Sequence, residues 1–277
     1  VTDSTANIPQ QYLDQYKIIS APQVLIWGDE TFRDGVDIQP EEFYSRLKTA
    51  KVIPSTSQVT PKTFIDIFGR LVEEGNQVLA ILISANLSGT MASAIQALET
   101  MKGAPVELVD SGTTSMAMGF QVLAAARAAA QGANLEECRK LAEKARSHVG
   151  IVFTVETLEF LHRGGRIGGA ARLLGTALNI KPILEIEKAR VDAVERVRTR
   201  KKSVARLVEL VQQRIAGRQP VHLSAIHANA EDEAKELLEM SKTVLDPIET
   251  IVAAVSPVIG THAGPGTVGL AFMAGLD

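Results

Sequence analysis

The sequence predicts an α/β fold in two parts, on three observations. Val78 to Ile83 is a continuous apolar run, as expected of a strand covered on both faces. Apolar runs and helix-length stretches then alternate as far as residue 147, an order that implies a parallel sheet with right-handed crossovers. From Ile151 glycine-rich turns and a hairpin pattern replace that rhythm. The boundary is therefore placed near residue 150, with a parallel-sheet α/β domain over 1–150 and an α+β domain over 151–277.

Taken in order, Val24–Trp27 and Thr31–Arg33 flank Gly28-Asp29-Glu30 and read as a small inserted hairpin within residues 20–50. Pro40 suits the first turn of a helix. Pro54-Ser55-Thr56-Ser57-Gln58 reads as a polar loop before a helix from Pro61 to Glu73. The strand Val78–Ile83 leads to a helix from Thr90 to Met101, and the strand Val106–Val109 to an Ala-rich helix from Ser115 to about Gln131. Gly132 ends that helix, and Leu135 to Ser147 makes another. In the second half, Glu156–His162 is a short helix stopped by Gly164-Gly165, and Gly169–Asn179 a small-residue helix. Ile183–Glu187 and Arg190–Val197 pair across Lys188-Ala189. A strand Val221–Ile226, a helix Glu231–Ser241 and strands near Ile248–Val255 and Thr267–Met273 follow.

Composition narrows the function. The chain has 277 residues, 45% hydrophobic and 22% charged, as in a soluble globular protein, and a net charge of −3 argues against nucleic acid as the ligand. Eight Phe, three Tyr and one Trp are too few for a base-stacking platform. The single cysteine, Cys138, excludes an internal disulfide framework and a Cys-based zinc site, and suggests a reduced, cytoplasmic setting. Its helical context makes it a packing residue. No apolar run approaches the roughly 20 residues a bilayer-spanning helix needs. The first residues, Val1-Thr2-Asp3-Ser4, lack a Met, so part of an initial strand is expected to precede them. There is no P-loop, no G-x-S-x-G elbow, no H-E-x-x-H and no strand–G-x-G-x-x-G–helix unit. No cofactor and no metal site are therefore expected.

Each strand of the first half ends in a hydroxyl-rich loop: Thr2-Asp3-Ser4-Thr5, Ser84 to Thr90, and Asp110 to Ser115. In an open parallel sheet these loops share one edge, where ligands bind. Ser88-Gly89-Thr90 offers a hydroxyl and free N–H groups at a helix start, which suits an anion, although Ser, Thr and Asp are also favoured as simple caps. Two glycine-rich segments each hold one basic side chain: Arg166 within Arg163–Gly169, and His262 within Gly260–Gly266. The arginine can grip a carboxylate or phosphate through its planar fork, and the histidine can donate a hydrogen bond. None of the three hydroxyl loops carries Lys or Arg, so the pocket suits one singly charged head group. The basic run Arg196–Lys202 reads as a solvated strand edge and helix start, or less simply as a docking surface.

Taken together, Thr2–Thr5, Thr56-Ser57-Gln58, Leu87–Thr90, Gly164–Ile167 and Gly260–Gly266 resemble, in order, the signature segments of the DegV family of bacterial fatty-acid-binding proteins. The resemblance spans nearly the whole chain. Val59 departs from it, where the family often has proline. It implies a ligand cleft between the two domains, with Thr56, Ser88 and Gly89 binding a long-chain fatty acid carboxylate and Arg166 and His262 close to that head group. It implies lipid transport rather than catalysis, the chain serving as the lipid-carrying subunit of a fatty acid kinase whose separate ATP-binding subunit forms the acyl phosphate. The alternative is an acyl hydrolase or transferase with Ser88 as nucleophile and His262 as base, which requires those two side chains within hydrogen-bond reach.

Overall fold

A computed structural model of the chain describes residues 1–175 and 180–276. The first half runs β1 (Thr2–Asp3), a 3-10 turn (Ser4–Ala6), α1 (Gln10–Gln15), β2 (Ser20–Ala21), β3 (Val24–Trp27), β4 (Glu30–Arg33), α2 (Pro40–Leu47) and β5 (Ser55–Ser57). It continues with α3 (Pro61–Glu73), β6 (Val78–Leu82), α4 (Thr90–Thr100), β7 (Val106–Asp110), α5 (Ser115–Ala130) and α6 (Leu135–Ala145). β1 pairs with β2 and β6 with β7, both in parallel. The Val1 amino group donates to Leu79 O at 2.8 Å and Ile81 N donates to Val1 O at 3.0 Å, a parallel bridge that sets β1 beside β6. The strand order is thus β2-β1-β6-β7, and the loops after β1, β6 and β7 leave from one edge.

The hairpin β3–β4 is present, and β5 joins it as a third, antiparallel strand with Thr56 opposite Leu25. The loop expected at Pro54–Gln58 is therefore in part a strand. Thr60 then caps α3 by accepting from Thr63 N, with Pro61 in the first turn.

The second half contains β8 (Val149–Thr154), α7 (Glu159–Arg163), a 3-10 turn (Gly168–Leu173), β9 (Lys181–Glu187), β10 (Arg190–Val197) and α8 (Arg200–Ile215). After these come β11 (Val221–His227), α9 (Glu231–Leu245), β12 (Glu249–Ala254), α10 (Pro257–Ala263) and β13 (Val268–Ala274). Six strands form one mixed sheet in the order β10-β9-β8-β13-β11-β12, with only β11–β12 parallel. The small-residue helix expected over Gly169–Asn179 is instead the short 3-10 turn. Gly168 has a φ of +50°, and Leu174 is already extended. The part of that expectation on residues 176–179 lies outside the described residues. The basic run splits between the end of β10 and the start of α8, where Thr199 caps the helix and Arg200 pairs with Glu233.

One face of the six-stranded sheet packs on α8 and α9 through Val152, Leu207, Val211, Leu223, Leu237 and Leu270. The other face packs on α5, whose Met116 and Phe120 share a core with Ile151, Ile226 and Ala271. That core also holds Leu25, Phe43 and Ile81, so it crosses residue 150 without interruption. A near-continuous apolar surface on α5 is what such a central position requires. Among the described residues no helix is long and apolar enough to cross a membrane.

Candidate functional site

Between the loop edge of the parallel sheet and the six-stranded sheet lies a cavity with about 890 Å³ of empty space, part of it open to solvent. Much of its wall is buried and apolar, built by Ile151 and Phe153 of β8, Val191 of β10, Ile226 of β11 and Val255 after β12. Its polar wall is formed by Thr56, Ser88, Arg166 and His262, all partly exposed. Four distant segments thus converge: β5, the loop before α4, the turn after α7, and α10.

His262 Nε2 lies 2.8 Å from Thr56 Oγ1. Burial, and secondarily the Arg166 guanidinium, push the His262 pKa down to about 4, so the ring is neutral at pH 7. Its Nδ1 is buried and has no hydrogen-bond partner among the described residues. The chain packs so closely there that a Cβ on Gly164 would sit 2.0 Å from Nδ1. Gly164 therefore makes room for the imidazole, although its own backbone is ordinary αR.

Ser88 Oγ is 2.9 Å from Thr90 Oγ1 and accepts from Thr90 N at 3.3 Å. Thr90 Oγ1 accepts from Gln23 Nε2 at 2.9 Å, and the same nitrogen reaches Asp3 Oδ1 at 3.2 Å. Asp3, fully buried, also accepts from Ile83 N at 2.8 Å and from Thr5 Oγ1. Burial raises its pKa against these hydrogen bonds. Gly89 is the N-cap of α4 without a side-chain cap, and a Cβ there would meet the Gln58 side chain at 3.1 Å. Glycine lets the Thr56-Ser57-Gln58 segment close on the Ser88 loop. Arg166 donates to Gly164 O at 2.7 Å and to Leu87 O at 3.1 Å, tying the turn after α7 to that loop.

All three hydroxyl loops reach the cavity, through Thr5, Ser88, Thr114 and Ser115. Ser4 does not line it. Its hydroxyl donates to Asp34 Oδ2 at 2.6 Å, while Asp34 Oδ1 accepts from Val258 N in the first turn of α10. Gln23 escaped the sequence reading, and so did the roles of Asp34 and of Gly164, which was read as a helix stop and part of a signature segment. Asp34-Gly35 has the signal of a surface turn, and nothing local announces that its carboxylate is buried.

The geometry does not form the pair that acyl transfer would need. Ser88 Oγ is engaged with Thr90, and His262 Nε2 with Thr56. His262 Nδ1 has no orienting carboxylate or carbonyl, and an imidazole with a pKa near 4 is a weak base at pH 7. Among the described residues no three His, Cys, Asp or Glu gather as a metal site.

The sequence matches the DegV family over residues 1–275. It is 36% identical over 272 residues to a DegV domain-containing protein of Streptomyces coelicolor, covering 98% of this chain and 96% of that protein. Among solved structures, a DegV family protein from Thermus thermophilus described as fatty acid binding superposes with a TM-score of 0.93 at 34% identity, covering 99% of this chain and 98% of that one. DegV of Bacillus subtilis, described as a fatty acid binding protein, gives 0.89 at 30% identity, covering 99% and 97%.

Proposed function

The chain belongs to the DegV family, and on that premise we propose that it binds a long-chain fatty acid and presents it to a separate ATP-dependent kinase subunit for acyl-phosphate formation. The observation that carries the reading is the cavity itself, largely apolar, with Thr56, Ser88, Arg166 and His262 gathered on one part of its wall. On this reading the carboxylate takes hydrogen bonds from Thr56, Ser88 and the Gly89 end of α4. The helix start adds favourable polarity.

His262 orients Thr56 in this arrangement, and Arg166 stands ready for the extra charge of an acyl phosphate. The tail fills the apolar wall, where each buried methylene contributes about 0.8 kcal/mol before ordering costs. A carboxylate desolvated at the polar wall needs several hydrogen bonds, and two hydroxyls with helix-start N–H groups supply them. The division near residue 150, with the cleft between the two parts, and a reduced cytoplasmic setting belong to the same reading. On this reading the bound carboxylate is itself the nucleophile, so this chain's part is to hold and orient it while the partner brings the ATP.

The test is native mass spectrometry of the purified protein followed by lipid extraction. One fatty acid per chain, lost in a Thr56→Val/Ser88→Ala double variant, is the expected result. A protein that takes up no added fatty acid would overturn the proposal.

A further inference from the structure

We propose that the cavity holds a second polar seat, at the start of α5, for an oxygen carried on the acyl chain itself. The ligands it selects are hydroxy or oxo fatty acids, and the inference rests on the fatty acid reading above.

Ser115 opens the 16-residue helix α5 and lines the cavity. It is 1% exposed, and its Oγ has no hydrogen-bond partner among the described residues. Among the described residues lining this cavity, only Ser115 and His262 carry such an orphaned buried atom. The orphan at His262 is explained by the close approach of Gly164. No glycine among the described residues makes such an approach to Ser115.

The helix start around it is uncapped. Thr114 occupies the N-cap position, but its hydroxyl donates to Thr5 O at 3.3 Å and makes no bond to the first turn. The first N–H groups of α5 therefore lack a side-chain acceptor. Ser115 adopts a φ of +54°, in the left-handed region that non-glycine residues seldom occupy. A left-handed residue followed by right-handed ones turns successive N–H groups into a concavity that favours a partial negative charge. Ser115 Oγ, the uncapped N–H groups and the positive end of α5 thus share one place on the cavity wall.

A hydrocarbon chain satisfies none of these groups. A hydroxyl or ketone oxygen satisfies them, accepting from an N–H group or from Ser115, and a hydroxyl can also donate to Ser115 Oγ. A second carboxylate is a poorer fit, because Arg166 is the one Lys or Arg among the described lining residues and it belongs to the Ser88 loop.

The experiment is calorimetric binding of octadecanoic acid and a series of its monohydroxy isomers to the wild type and to Ser115→Gly, which removes the hydroxyl and tolerates the positive φ. At one hydroxyl position, or two adjacent ones, the wild type's preference for the hydroxylated over the plain acid should exceed the variant's by about fivefold, the worth of one hydrogen bond. Ser115→Ala repeats the measurement in case glycine disturbs the helix start. The same preference ratio in all three proteins at every position, with the plain acid bound, overturns this inference alone. Failure of the wild type to bind either acid overturns the fatty acid reading with it.

Discussion

His262 is neutral at pH 7, its pKa held at about 4 by burial first and the Arg166 guanidinium second. Its pKa in the fold lies below the unfolded value of 6.5, so the stability this residue contributes is full above pH 6.5 and is lost as pH falls towards 4. A carboxylate bound beside Thr56 adds an opposite charge and should raise that pKa. An imidazole NMR titration should show a midpoint near 4 without ligand and a higher one with fatty acid; an unmoved midpoint would remove the carboxylate from this position. Gly164→Ala tests the same ring by sterics, because the new Cβ would overlap Nδ1. The ring must swing away from Thr56, and lipid affinity should fall about tenfold, the worth of a hydrogen bond to a charged group. Thr56, Ser88, Arg166 and His262, which line the cavity, stand out in the sequence because each sits in a short polar or glycine-rich segment amid apolar periodicity; Gly89 stands out likewise but lies behind Ser88 as the N-cap of α4. The roles of Gln23 and Gly164 could not be read there, since they exist only through partners far along the chain.

α10 carries His262, and Asp34 fixes its first turn through Val258 N. Burial raises the Asp34 pKa from 3.8 to about 6, with Ser4, Ser256 and Val258 opposing by hydrogen bonds and Asp3 adding repulsion. Because the folded pKa is the higher one, ionised Asp34 costs stability above pH 6, and the cost is relieved as pH falls through 6 towards 3.8. Asp34→Asn keeps the shape without the charge. The melting temperature of the wild type should therefore rise relative to that of the variant between pH 7 and pH 5. Parallel profiles would show that Asp34 does not titrate there. The helices with clear periodicity, α3 through α6, were legible as elements, as were the β3–β4 and β9–β10 hairpins. β5 was not, because three polar residues on an edge strand show no apolar alternation. The start of α8 was legible in the basic run, but its length was not drawn out, although Val204, Leu207, Val208 and Val211 follow helical spacing behind it.

The largest core runs through both halves of the molecule, and a polar link reinforces it. Arg127 of α5 donates to Glu249 Oε1 at 2.6 Å, and His222 Nδ1 lies 2.7 Å from Glu249 Oε2. Burial works against ionising Glu249, yet the hydrogen bonds from His222 and Arg127 outweigh it and hold the pKa at about 2. That contribution is complete above pH 4.5 and is lost as pH falls towards 2. Thermal unfolding at pH 7 should be one cooperative transition, and two resolved transitions would contradict the shared core. Arg127→Ala should destabilise by about 1–3 kcal/mol by stripping a partly buried carboxylate of a partner, read as a melting temperature lower by several degrees. The Thr56–His262 hydrogen bond spans 206 residues of sequence. At ribosomal speeds of roughly 5–20 residues per second, a nascent chain spends about ten seconds or more with Thr56 made and His262 still to come. Until α10 is synthesised, the Thr56–His262 part of the cavity wall cannot form. On the proposed reading, loading waits for α10, and chains stalled or truncated before it should emerge from the ribosome without lipid.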